Sequence, residues 1–241
     1  MSTESPTQVV EQPYATMSKQ QIRFTLVAMI TSLVAVVSAM SGLNVAQQQL
    51  AVALGATQSG VLWIINAYTL ALAALLLPVG AIGDRWGRKT VLLTGLSVFG
   101  LATVGAVLAT SVPAMIAARS IAGAGAAMIM PVTLSIITSS FPPDERAKAI
   151  GVWAGFAGAG GMIGMFVSAF MIDVVSWRWV FALPLILVVI ALTLTGRFAP
   201  NSKEDSEHPF DVPGSILSAL AIGGIVWGLH EGPDRGWGDP I

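Results

Sequence analysis

The chain has 241 residues, of which 54% are apolar and 10% charged, with a mean hydropathy of +0.76. Ordinary soluble proteins carry about 25% charged residues, and a soluble domain of this length could not hide so much apolar surface, so the surplus must face lipid. The formal net charge of −1 says nothing about nucleic acid, and no basic patch is large enough to suggest it, so no nucleic-acid partner is expected; the absence of cysteine excludes disulfides, thiolate zinc clusters and thiol catalysis, and nothing calls for a cofactor or a metal.

Residues 1–22 are polar and read as a disordered tail. The apolar run behind them exceeds the roughly 7–15-residue core of a cleavable signal peptide, so it reads as an uncleaved first span. A transmembrane helix needs about 20 mostly apolar residues, and by that rule seven spans fall at roughly 24–46, 59–82, 90–110, 112–137, 147–172, 178–197 and 213–230. Lipid offers no hydrogen bonds, so each span must satisfy its backbone as a helix. The expected fold class is therefore all-α integral membrane. Residues 23–198 form a six-helix bundle, 199–211 a charged cytoplasmic linker, and 212–241 a seventh helix with an external loop. The punctuation agrees: Pro142 and Pro143 break the chain before the fifth span, and Asp144 and Asp211 can cap helices.

Basic residues set the orientation. With the N-terminus inside, Lys19, Arg23, Arg85, Arg88, Lys89, Arg146, Lys148, Arg197 and Lys203 are cytoplasmic, whereas only Arg178 and Arg235 are external. That asymmetry follows the positive-inside rule and predicts a multi-pass protein of the cell membrane with a cytoplasmic N-terminus.

Three groups of residues carry chemistry beyond bilayer insertion. The connection between spans two and three holds Gly80, Gly83, Asp84, Arg85, Gly87, Arg88 and Lys89. So short a loop must turn sharply, and Gly87 can take a positive φ; Gly80 and Gly83 permit close helix approach. Asp84 can pair with a basic group or a helix N-terminus, and the three basic residues face the anionic inner leaflet. Arg119 lies inside span four, where a central arginine costs roughly 2.5–3.5 kcal/mol on insertion scales. It either faces a cavity or partner or snorkels to the interface about 10 Å away. Span five carries Gly151, Gly155, Gly158, Gly160, Gly161 and Gly164. Each glycine costs about 0.8–1.0 kcal/mol in a helix relative to alanine, which close helix packing would offset. Asn44, Gln47, Gln48, Asn66 and Tyr68 are the polar side chains best placed to line a cavity, although helix–helix hydrogen bonds explain them equally well.

The string from Gly80 to Lys89 resembles the G-x-L-A-D-R-x-G-R-K signature of the major facilitator superfamily, differing at Ile82 and Gly83. The resemblance implies that this loop is a conformational latch, with Asp84 as its carboxylate. Arg119, Gly123, Gly125 and Ala127 resemble the family's R-x-x-x-G-x-G-A-A motif, in which the arginine is implicated in proton coupling. The span-five glycines resemble the antiporter motif G-x-x-x-G-P-x-x-G-G, with Gly161 in place of proline and Met165 in place of the second glycine. Trp63–Leu70, Pro142–Gly151, Trp177–Phe181 and Gly228–Trp237 resemble the fourteen-helix drug:proton antiporter branch. The resemblance implies the N-terminal half of a secondary active transporter that exports drugs or other amphipathic small molecules by alternating access. A second half is expected as partner, and no enzymatic activity is implied.

Ala39 stands where the branch commonly has aspartate, and no acidic residue or histidine falls in the middle of a span. A proton antiporter needs a protonatable group in the bundle, so coupling would reside in the other half or be absent. The chain accordingly reads as an N-terminal fragment or a truncated product. The alternative is a truncated, non-transporting membrane protein that binds a partner half. Intramembrane proteolysis fits poorly, because the sequence has no G-x-S-G string and His208 and His230 lie in a loop and at a helix end.

Overall fold

The computed structural model describes residues 16–202 and 212–235. The rest of the expected tail, linker and external loop, with Asp211, lies outside the described residues. The helices are α1 (Lys19–Val45), α2 (Gln47–Leu54), α3 (Gln58–Trp86), α4 (Arg88–Leu108), α5 (Val112–Ser140), α6 (Pro143–Val174), α7 (Ala182–Phe198) and α8 (Val212–Arg235), with a 3-10 turn at Trp177–Phe181 leading into α7. Among the described residues there is no strand.

Among the described residues, six helical stretches are long and apolar enough to cross a membrane: α1, α3 as far as Gly80, α4, α5, α6, and Trp177–Phe198. α8 contains a shorter apolar stretch, Ile216–Ile225. Helix starts follow local capping. Ser18 accepts from the Gln21 amide at 3.2 Å, so α1 begins at Lys19, inside the stretch expected to be disordered. Thr57 and Ser111 cap α3 and α5 in the same way. The sequence reading overlooked α2, because eight residues are too few for a span; Gly55, at φ +60°, ends it.

Small residues decide how closely the helices pack. In a bilayer the tails are as apolar as leucine, so association depends on contact rather than on water exclusion. α5 packs against both α3 and α4. A Cβ at Gly123 would strike the Tyr68 carbonyl, and one at Gly125 would come within 2.7 Å of the Phe99 amide nitrogen. α1 packs against α6 and α7. On α6, Gly160, Gly164 and Ser168 recur at four-residue spacing and meet Val34, Ser38 and Gly42 of α1. Several buried hydroxyls bond back to their own helix: Ser32 donates to Ala28 O at 2.8 Å, and Thr103 to Phe99 O at 2.6 Å, whereas Ser140 Oγ and Thr195 Oγ1 are buried without a partner among the described residues. The outer surface is apolar, with Leu101, Phe166, Phe170, Ile186 and Val189 all exposed, as lipid contact requires.

A Cβ at position 164 would stand 2.5 Å from Ser38 Cα, whereas one at 158 would meet nothing within 4 Å. Gly164→Val is therefore expected to destabilise the bundle by about 1–3 kcal/mol, and Gly158→Ala to leave it unchanged or slightly more stable. Thermal unfolding of the purified chain in detergent, followed by circular dichroism, measures both.

Candidate functional site

Two sites follow from the geometry, one at a chain reversal and one inside the bundle. At the reversal, α3 ends at Trp86 and α4 starts at Arg88, leaving Gly87 as the single residue between them, at φ +102° and ψ +118°. A side chain would be strained at that φ. It would also lie 2.7 Å from Asn201 Oδ1. The loop is seated on the last turn of α7 and the segment after it: the Arg88 amide donates to Ser202 O at 2.9 Å, and Lys89 Nζ donates to Gly196 O at 2.9 Å. Ser139, near the end of α5, lies 3.3 Å from the Ser202 hydroxyl. α1 joins the same segment, since Gln21 and Thr25 both donate to Phe198 O and Phe24 stacks on Phe198 at 4.6 Å. Gly80 and Gly83 face α5, the first in ordinary contact with Pro131 and the second tight against Val132. Arg85 is exposed at the last turn of α3. The side chain of Asp84 lies outside those described.

Inside the bundle, Arg119 of α5 is only 2% exposed. Its guanidinium carbon stands 4.2 Å from the centroid of the Tyr68 ring, a cation–π contact strengthened by the dry surroundings. Tyr68 is fully buried, and its hydroxyl donates to Val36 O of α1 at 3.1 Å. Phe99 of α4 meets the same ring edge-on at 6.4 Å. Tyr68 thus joins α1, α3, α4 and α5 around one cation. Arg119 Nε has no hydrogen-bond partner, and among the described residues no carboxylate pairs with this arginine. Of the two sequence readings, enclosure against a partner therefore describes Arg119, and snorkelling to the interface does not.

The other polar candidates are dispersed. Asn44 is exposed and donates to Met40 O at 3.0 Å, within its own helix. Gln47 and Gln48 lie on α2, half-buried and exposed, and Asn66 is half-buried with a partner of its own. None of these, nor Tyr68, lines the cleft of about 470 Å³ between α3, α5 and α8. That cleft is walled by Trp63, Ala71 and Ala74 of α3, Ser120 of α5, and Gly223 and Trp227 of α8. The α6 glycines divide into two sets: Gly160 and Gly164 pack on α1, while Gly151, Gly155 and Gly158 are exposed with nothing near.

The six-span bundle, the glycine-punctuated reversal and the enclosed arginine stand together with a match to the Major Facilitator Superfamily across residues 27–230. The chain belongs to that superfamily, whose members are transporters rather than enzymes. It is 33% identical over 213 residues to the methylenomycin A resistance protein of Streptomyces coelicolor, covering 88% of this chain and 45% of the relative. It is 33% identical to the methyl viologen resistance protein SmvA of Salmonella typhimurium, covering 82% and 40%. It is 32% identical to the tetracenomycin C resistance and export protein of Streptomyces glaucescens, covering 94% and 41%. The chain thus spans less than half the length of these relatives. Among solved structures, a bacterial homologue of the lysosomal transporter Spinster gives a TM-score of 0.67 at 21% identity, covering 81% of this chain and 49% of that one. The proton:xylose symporter XylE gives 0.65 at 17% identity, covering 91% and 55%. These structures share the fold of this superfamily member, a multi-pass membrane protein.

Because position 87 combines a positive φ with a contact at 2.7 Å, Gly87→Ala is expected to cost about 1–3 kcal/mol. It should also loosen the reversal from residues 196–202. Limited proteolysis of the variant in detergent is expected to cut near Trp86–Lys89 faster than in the parent.

Proposed function

We propose that this chain forms the N-terminal half of an exporter for drugs or other amphipathic small molecules, working by alternating access in the cell membrane with its N-terminus cytoplasmic. The observation that carries the reading is Arg119, a cation held without a carboxylate in an apolar bundle. Such a placement costs several kcal/mol and marks an ion or substrate pathway in membrane proteins. A purely structural bundle gains nothing from it that leucine would not supply. Efflux as the direction is supported by relatives whose names state resistance or export.

The three exposed glycines of α6 support a second half as partner. Together they cost about 2.4–3 kcal/mol relative to alanine, and no contact among the described residues offsets that. Docking of another helical half would offset it. Proton coupling, if present, then depends on that half, because among the described residues the middles of the spans contain no carboxylate or histidine. Asp84 serves as the latch carboxylate by family resemblance, on a loop held to the end of α7.

The test is extrusion of methyl viologen from energised vesicles holding this chain together with a separately expressed second half. We expect flux with both halves and none with this chain alone. Arg119→Ala should lower flux at least tenfold, about 1.4 kcal/mol, at unchanged membrane level, and Asp84→Asn should lower it less. Full flux by Arg119→Ala would overturn the transport role of the arginine. An assembled pair that moves no substrate would favour the second reading, a non-transporting membrane protein that binds a partner half.

A further inference from the structure

The end of the bundle opposite the Gly87 reversal carries a second arginine in a different setting. Arg178 lies in the 3-10 turn Trp177–Phe181, between α6 and α7, with its backbone amide capped by the Ser176 hydroxyl at 3.3 Å. Within the turn, Trp177, Val180 and Phe181 are buried, while Arg178 and Trp179 are exposed. The Arg178 guanidinium is fixed at two points. Its Cζ lies 4.6 Å from the Trp177 ring centroid, and Nε donates to Val107 O, in the last turn of α4, at 3.0 Å. A guanidinium has five N–H donors. Among the described residues, only the Nε donor is engaged by protein and no carboxylate pairs with the group.

Beside the guanidinium opens a cleft of about 320 Å³, walled by Val107 of α4, Trp179 of the turn, and Ala182 and Leu185 of α7. On the same two helices, Leu101, Leu108, Ile186 and Val189 are all exposed apolar side chains. A fixed cation therefore stands beside an apolar cleft near the end of α4, with Trp179 in its wall, and tryptophan is the residue that favours the headgroup level of a bilayer.

We propose that this cleft is a binding site for an anionic phospholipid. The phosphate accepts charge-assisted hydrogen bonds from the free Arg178 nitrogens, and the acyl chains descend along α4 and α7. The fork of donors matches phosphate oxygens in pairs. A lipid without a headgroup cation fits best, because its net negative charge is kept whole for Arg178, whereas a zwitterionic headgroup brings a positive charge of its own. A free phosphate would use the same donors and leave the apolar walls unoccupied, so the walls select the lipid.

The experiment is native mass spectrometry of the purified full chain in uncharged detergent, titrated with phosphatidylglycerol, phosphatidylcholine or inorganic phosphate. The parent should retain phosphatidylglycerol over phosphatidylcholine by about tenfold, the ratio that one charge-assisted hydrogen bond supplies. Arg178→Gln, whose amide can still reach Val107 O, should abolish that preference, and Arg178→Lys should recover part of it. Ala182→Leu fills the cleft with Arg178 intact and should lower retention of both lipids, which keeps the test decisive if the glutamine variant does not fold. Equal preference in parent and Arg178→Gln would overturn the site, as would undiminished retention in Ala182→Leu. Displacement of the lipid by millimolar inorganic phosphate would equally overturn it in favour of a free-anion site.

Discussion

Every peptide group that enters the hydrocarbon must find its hydrogen bond within its own helix, because lipid offers none and an unsatisfied group costs several kcal/mol. That constraint makes each span a rod and leaves its backbone nothing to offer a neighbour. What distinguishes one arrangement of rods from another is then the side chains, and above all where they are missing. α5 reaches α3 through Gly123 and α4 through Gly125, two residues apart and so on nearly opposite faces of one helix. α6 reaches α1 through Gly160 and Gly164. The bundle is organised by its glycines as much as by its bulky residues.

The same logic sets off Arg119. A helix that must be apolar to enter the bilayer carries an enclosed guanidinium, and the surroundings meet it with an aromatic face rather than an anion. An ion pair would fix the charge more firmly, but burial of two charges is costly and seldom a net gain. The Tyr68 ring attracts the cation without adding a second charge, and its hydroxyl is satisfied separately by Val36 O. The guanidinium keeps a free Nε, so the site remains chemically open while its position is set by packing from four helices.

The spans, the helical class and the sharp reversal at Gly87 were legible because each follows from a local rule: length, hydropathy and the steric freedom of glycine. The helix limits were less legible. α3 and α5, at 29 residues each, are about 43 Å long, against roughly 30 Å of hydrocarbon, so hydropathy loses sight of ends that project from the membrane. Packing partners were not legible at all. Gly155 and Gly164 look alike in the sequence, yet one is exposed and the other lies against Ser38, and only the rotation of α6 about its axis separates them. Tyr68 and Asn44 likewise share a polar label. Burial next to Arg119 gives Tyr68 its partners, whereas Asn44 ends in a bond to its own helix.

The contacts around residues 196–202 show how a connection can be part of the architecture. Phe198, Asn201 and Ser202 lie where the polar linker begins, a segment that hydropathy reads as featureless. Yet the Phe198 carbonyl accepts from two side chains of α1, the Ser202 carbonyl accepts the Arg88 amide, and Asn201 fills the space that a side chain at Gly87 would need. These bonds supply partners to polar groups at helix ends, where the intrahelical ladder runs out. Thus the ends of α1, α4 and α7 share one short stretch of backbone. A shift of the reversal at Gly87 cannot leave that stretch in place without breaking the Arg88 and Lys89 bonds, and Ser202 itself belongs to the linker. The reversal that the sequence singles out and the connection that it passes over are thus one mechanical unit.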